Sequence, residues 1–69
     1  MKPRQLASEC DEGPCPTVWA IDKDAEHVLV QGFKVEDEEA LSIMKMPEHE
    51  TAVRIPMALL KRVAREHLT

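Results

Sequence analysis

Cys10 and Cys15 bracket the segment Cys-Asp-Glu-Gly-Pro-Cys. With His27, His49 and His67 they are the residues best suited to hold a metal or exchange a disulfide. A zinc site needs four ligands of Cys, His or carboxylate type, usually in close pairs. Two cysteines and two of the three histidines would complete such a set. The histidines, however, are far apart along the chain and lack the paired spacing of a zinc finger. The cysteines are also further apart than the CxxC of thioredoxin-like sites. Zinc, a reversible disulfide and free thiols all stay open, and free thiols in a mobile arm are the expected state. A nucleophilic cysteine would need a base beside it, and no histidine is placed there by the sequence. There is no Gly-rich phosphate loop, nucleophile elbow or paired-histidine motif. The chain therefore reads as a non-enzyme without a cofactor, zinc being the one alternative.

Charge supplies the other candidates. Glu36, Asp37, Glu38 and Glu39 form an acidic run, whereas Arg54, Lys61, Arg62 and Arg65 form a basic group further on. An acidic run at a helix start stabilises the helix dipole on a solvated face. The same run could also meet the basic surface of a protein partner, since complementary charge steers such encounters. The net charge of −4 and the 3% aromatic content argue against a nucleic-acid coat built on base stacking. The four basic residues keep direct DNA contact as a second reading. His67 is read as a core or interface histidine near a helix end. Trp19 is read as a core anchor, with a place in a subunit interface as the alternative.

These residues need a scaffold, and 69 residues supply one small domain. Residues 1–16 hold three prolines and few large apolar side chains, so they read as an extended or mobile arm, ordered only if a metal, a disulfide or a partner holds it. Residues 17–69 read as a single domain. Thr17–Ile21 is rich in β-formers, 22–26 is turn-like, and 27–35 reads as a second strand of an antiparallel hairpin. Gly32 within that strand signals a bulge or a close backbone approach. A short helix is expected over 37–45, with Asp37 as its N-cap and Ala40, Leu41 and Met44 on one face. Pro47 ends it. Thr51–Ile55 alternates as a third strand, and Pro56 suits the start of a second helix. Leu59, Leu60, Val63, Ala64 and His67 form that helix's apolar stripe, and Lys61, Arg62 and Arg65 its basic side. The expected fold is α+β: a small antiparallel sheet with two helices, in the order ββαβα after the arm.

The segment Thr51-Ala-Val-Arg-Ile-Pro-Met-Ala-Leu-Leu-Lys-Arg-Val-Ala-Arg-Glu-His resembles the first half of ribbon-helix-helix DNA-binding proteins. That resemblance implies a strand paired across a dimer and set in the major groove. The second helix of that family has no counterpart in these residues. The Ile-Pro step before a basic helix is similar to AbrB-type regulators, over a comparable stretch. More of the chain resembles an uncharacterised group of short actinobacterial proteins associated with helix-turn-helix regulators. The segments that carry this are Cys15-Pro-Thr-Val-Trp19, Val28-Leu-Val-Gln-Gly32 and Pro47-Glu-His-Glu-Thr-Ala-Val-Arg-Ile-Pro56. It implies an accessory regulatory role and transfers no active site.

No apolar run is long enough to span a bilayer and no signal peptide is evident, so the chain is expected to be cytoplasmic. The functional expectation is a small homodimeric interaction module that modulates a DNA-binding transcription regulator through Glu36, Asp37, Glu38 and Glu39. The alternative is a regulator that binds DNA directly through Arg54, Lys61, Arg62 and Arg65.

Overall fold

The computed structural model describes residues 1–10 and 13–68. The chain runs β1 (Pro3–Ser8), β2 (Thr17–Ile21), β3 (Asp24–Gln31), β4 (Phe33–Lys34), α1 (Glu38–Ile43), β5 (Val53–Arg54) and α2 (Met57–His67). β1, β2 and β3 form an antiparallel three-stranded sheet with β2 in the middle, and β4 pairs antiparallel with β5 in a second, two-stranded sheet. The architecture is α+β, as the β-rich and helical patterns require.

The arm, expected to be extended or mobile unless something holds it, is held. Its first half is strand β1, with Pro3 at the first position, where a missing N–H is tolerated on an edge. Local composition argues against order there, but β2 has a second edge to fill. Ala7 pairs with Val18 on the face that meets α2, and its small side chain, 1% exposed, lets the helix approach. Main-chain bonds from Glu9 N–H to Pro16 C=O and from Asp22 N–H to Lys2 C=O, both 2.9 Å, close the two ends of the β1–β2 pair. Asp11 and Glu12, also within the expected arm, lie outside the described residues.

The long second strand is also divided. Gly32 separates β3 from β4, and a Cβ there would come within 2.7 Å of both Arg54 C=O and Ile55 Cγ2. Only glycine lets the chain pass so close to β5, and this is the close approach that the sequence signals. Residues 53–54 therefore pair with β4 rather than extending the hairpin sheet. The β2–β3 turn is tighter than expected, with Lys23 in the left-handed region at φ 67°. Ala20 opposes Val28 while Ile21 opposes Asp24, so Ala25, Glu26 and His27 bulge out of β3.

Ala7, Val18, Leu59 and Val63 form the buried cluster, with Leu6 and Ile55 packed against it. Each fully buried Leu or Val contributes about 1.5–3 kcal/mol, so so small a cluster leaves a thin margin. Leu59 and Val63 lie four residues apart and place one stripe of α2 on the sheet. Leu60, expected in that stripe, is 50% exposed. Pro56 is the N-cap of α2, one residue before the position expected for it.

Candidate interaction groove between helix α1 and the second sheet

Asp37 caps α1 as the sequence predicts. Its carboxylate accepts the Ala40 N–H at 2.8 Å, and Glu38 and Glu39 occupy the first turn. Glu36, Asp37, Glu38 and Glu39 are all exposed. One of the four is thus committed to the helix end, and the other three carboxylates face solvent near the positive end of a short helix.

Beside this run lies a groove of about 520 Å³, lined by Lys34, Val35, Glu36, Asp37, Ala40, Met44, Ala52, Val53 and Arg54. β4 and β5 supply Lys34, Val53 and Arg54, α1 supplies Ala40, and the linking segments supply the rest. Val35 N–H donates to Ala52 C=O at 3.1 Å, which holds the two linkers side by side. Its lining combines the apolar side chains of Val35, Ala40, Met44, Ala52 and Val53 with acidic Glu36 and Asp37 and basic Lys34 and Arg54. Met44, expected on the apolar face of α1, is 53% exposed at the groove, and Ile43 is 76% exposed. Sequence reasoning singled out the acidic run Glu36 to Glu39, of which Glu36 and Asp37 line the groove, but not the apolar residues beside them. Val35 immediately before the acidic run was the available signal.

The basic group is divided. Arg54 opposes Phe33 in the β4–β5 pair, with its guanidinium carbon 5.9 Å from the ring centroid, within cation–π reach. Lys61, Arg62 and Arg65 sit around a depression of about 310 Å³ that also includes Glu9, Ala58 and Leu59. Arg62 is half-buried and donates to Ser8 C=O at 3.1 Å, and Arg65 lies 4.0 Å from the Glu66 carboxylate. Arg62 is therefore a structural bolt as well as a cation.

Cys10 and Cys15 are joined in a disulfide, which replaces the expected free thiols. The loop they close is tied into the sheet: the Ser8 and Thr17 hydroxyls are 2.9 Å apart, and Thr17 Oγ1 donates to Cys15 C=O at 2.7 Å. Among the described residues no three His, Cys, Asp or Glu side chains group as a metal site would require. The histidines go elsewhere. His27 Nδ1 lies 3.0 Å from the Asp24 carboxylate, His49 lies 3.9 Å from Glu50, and His67 Nε2 lies 3.2 Å from Leu6 C=O. The hydrogen bond from His27 is the largest of the effects that hold the Asp24 carboxyl below its ordinary value. Trp19 is half-buried rather than a core anchor. Its indole N–H donates to the Gln31 side chain at 3.1 Å, on the face opposite Val18.

Among the described residues, no helix is long and apolar enough to cross a membrane. No family model, curated protein or solved structure matches the chain.

Proposed function

We propose that the chain is a non-enzymatic interaction module, acting as a homodimer, that docks a basic and apolar segment of a DNA-binding regulatory partner. The observation that carries the reading is the groove itself, whose lining joins apolar Val35, Ala40, Met44, Ala52 and Val53 to the acidic segment at Glu36 and Asp37. An amphipathic segment with cations along one side suits it, because apolar burial supplies affinity while the charge sets orientation and encounter rate. Lys34 lines the same groove, which favours a segment that sets a neutral or acidic residue beside it.

Direct DNA binding is the competing function. It draws on Lys61, Arg62 and Arg65 around their shared depression, with Arg54 on the second sheet. It is the weaker reading because Arg62 is already bonded to Ser8, and the chain's net charge is −4. A cytoplasmic setting belongs to the proposal too. There the thiol pool would keep Cys10 and Cys15 open to reduction.

The test is charge reversal that leaves the Asp37 cap in place. The double change Glu36→Lys with Glu38→Lys should weaken binding of a labelled amphipathic Lys/Leu peptide at least 10-fold and flatten its salt dependence. Unchanged affinity in the double variant would remove the groove from the account.

A further inference from the structure

The β1–β2–β3 sheet is covered unevenly. Opposed residues share a face, so Ala7, Val18 and Val30 lie on the side that meets α2, as do Ala20 and Val28. α2 lies over the β1 side of this face. Ala7 and Val18 are 1% and 3% exposed beneath it, whereas Val28 and Val30 on β3 remain 49% and 43% exposed. Leu60 on the helix and Leu68 at its C-cap are 50% and 68% exposed.

The main chain of β3 has a direction as well as a surface. Hydrogen-bonded pairs alternate along an antiparallel ladder. The bond from Glu9 N–H to Pro16 C=O fixes that phase, so that Val18 turns its peptide groups toward Ala7. Thr17 and Trp19 then turn theirs toward Gln31 and Leu29 on β3. The N–H and C=O groups of Val28 and Val30 consequently point outward, along an edge with no neighbouring strand among the described residues. Exposed edges are usually guarded by Lys, Pro, charge or a bulge. The bulge and the charges of Asp24 and Glu26 guard the first half of β3, and Val28-Leu29-Val30-Gln31 carries no such guard.

We infer that this edge is the seam with a second copy of the chain, β3 pairing antiparallel with its twin about a two-fold axis at Leu29. This deepens the dimeric part of the proposed function and rests on it. In this register each outward-facing Val28 exchanges hydrogen bonds with Val30 of the other copy, and the reverse. The two valine pairs land on the α2 side, closing the half of the face that each helix leaves open. Any extended peptide could satisfy the main chain, but only a strand with valines at matching positions also closes the apolar surface. β3 is its own complement. Its four-residue seam is short, and a standard interface takes about 800 Å² from each partner, so Leu60 and Leu68 have to contribute. The expected dimer is concentration-dependent, dissociating at about micromolar levels.

Sedimentation equilibrium of the full chain from about 1 μM to 1 mM reads the dimer. Val30→Lys, checked for folding by circular dichroism, should weaken it at least 10-fold. A two-fold axis at Leu29 makes a non-hydrogen-bonded pair with Cα atoms about 4.5 Å apart, within disulfide reach. Oxidised Leu29→Cys chains should therefore be linked through position 29, as located by mass spectrometry, and Gln5→Cys chains on the β1 edge should not. The linkage also decides the matter if Val30→Lys fails to fold. A monomer across the whole range overturns the dimer and the seam together. A dimer that cross-links through Gln5→Cys and not through Leu29→Cys overturns the seam alone.

Discussion

The guanidinium of Arg62 donates to the main-chain carbonyl of Ser8 at 3.1 Å, joining the last helix to the end of the first strand across 54 residues of sequence. Ser8 is 8% exposed, and its hydroxyl lies 2.9 Å from that of Thr17. One charged side chain thus closes a contact among α2, β1 and β2 beside a small core. Arg62→Ala should lower unfolding free energy by about 1–3 kcal/mol, since it leaves a shielded carbonyl without its donor and removes a packed stem. Exposed Lys61→Ala should change it by less than about 0.5 kcal/mol. Urea unfolding of the two variants checks the difference.

The disulfide between Cys10 and Cys15 closes a short loop at the junction of β1 and β2. Loop-closure entropy for so short a ring corresponds to about 2 kcal/mol. Replacing both cysteines with serine should destabilise by that order, and reductant should lower the melting temperature of the natural chain but not of the double variant. Differential scanning calorimetry with and without reductant reads both.

Gly32→Ala should be costly although glycine is replaced by the smallest side chain. The added methyl would meet Arg54 C=O and Ile55 Cγ2 at 2.7 Å, and the first of these is main chain that cannot rotate away. Overpacking of this kind costs about 1–3 kcal/mol. Because Ile55 packs against the core cluster, the change should also loosen the start of α2, visible as faster amide exchange at Leu59 and Leu60.

Asp24 accepts hydrogen bonds from His27 and from Glu26 N–H, which hold its carboxyl below the ordinary value. A lowered folded-state value gives stability that is present above the unfolded value and lost as pH falls through the folded one. Carboxyl carbon shifts followed by NMR should place the Asp24 midpoint below the ordinary aspartate value. His27→Ala should raise it toward that value. Both side chains reach solvent, so the melting temperature should move little between the variants.

The elements that sequence reasoning located best are those set by local chemistry. Asp37 begins α1 because a carboxylate can take an orphan N–H, and the Leu59–Val63 stripe marks α2 because it repeats once per turn. Gly32 was legible as a close approach for the same reason. β1 was not legible: Pro3–Ser8 has no β-rich pattern, and its order comes from the free edge of β2 and the fit of Ala7 under a helix. The pairing of residues 53–54 with β4 is likewise a tertiary choice, since alternation marks a strand without naming its neighbour. Of the candidate site, the acidic run could be read from composition. The apolar part of the lining could not, because it gathers Val35, Ala40, Met44, Ala52 and Val53 from separate segments.

The central claim is that the α1 groove, rather than the basic side of α2, is where this chain meets its partner. Titrating the ¹⁵N-labelled protein at low salt with an amphipathic Lys/Leu peptide, and separately with a random-sequence DNA duplex, tests it residue by residue. The account predicts that the peptide shifts the amides of Val35, Glu36, Ala40, Met44, Ala52 and Val53, and that the duplex shifts none. Shifts at Arg54, Lys61, Arg62 and Arg65 on adding DNA, with the groove silent to peptide, would contradict it.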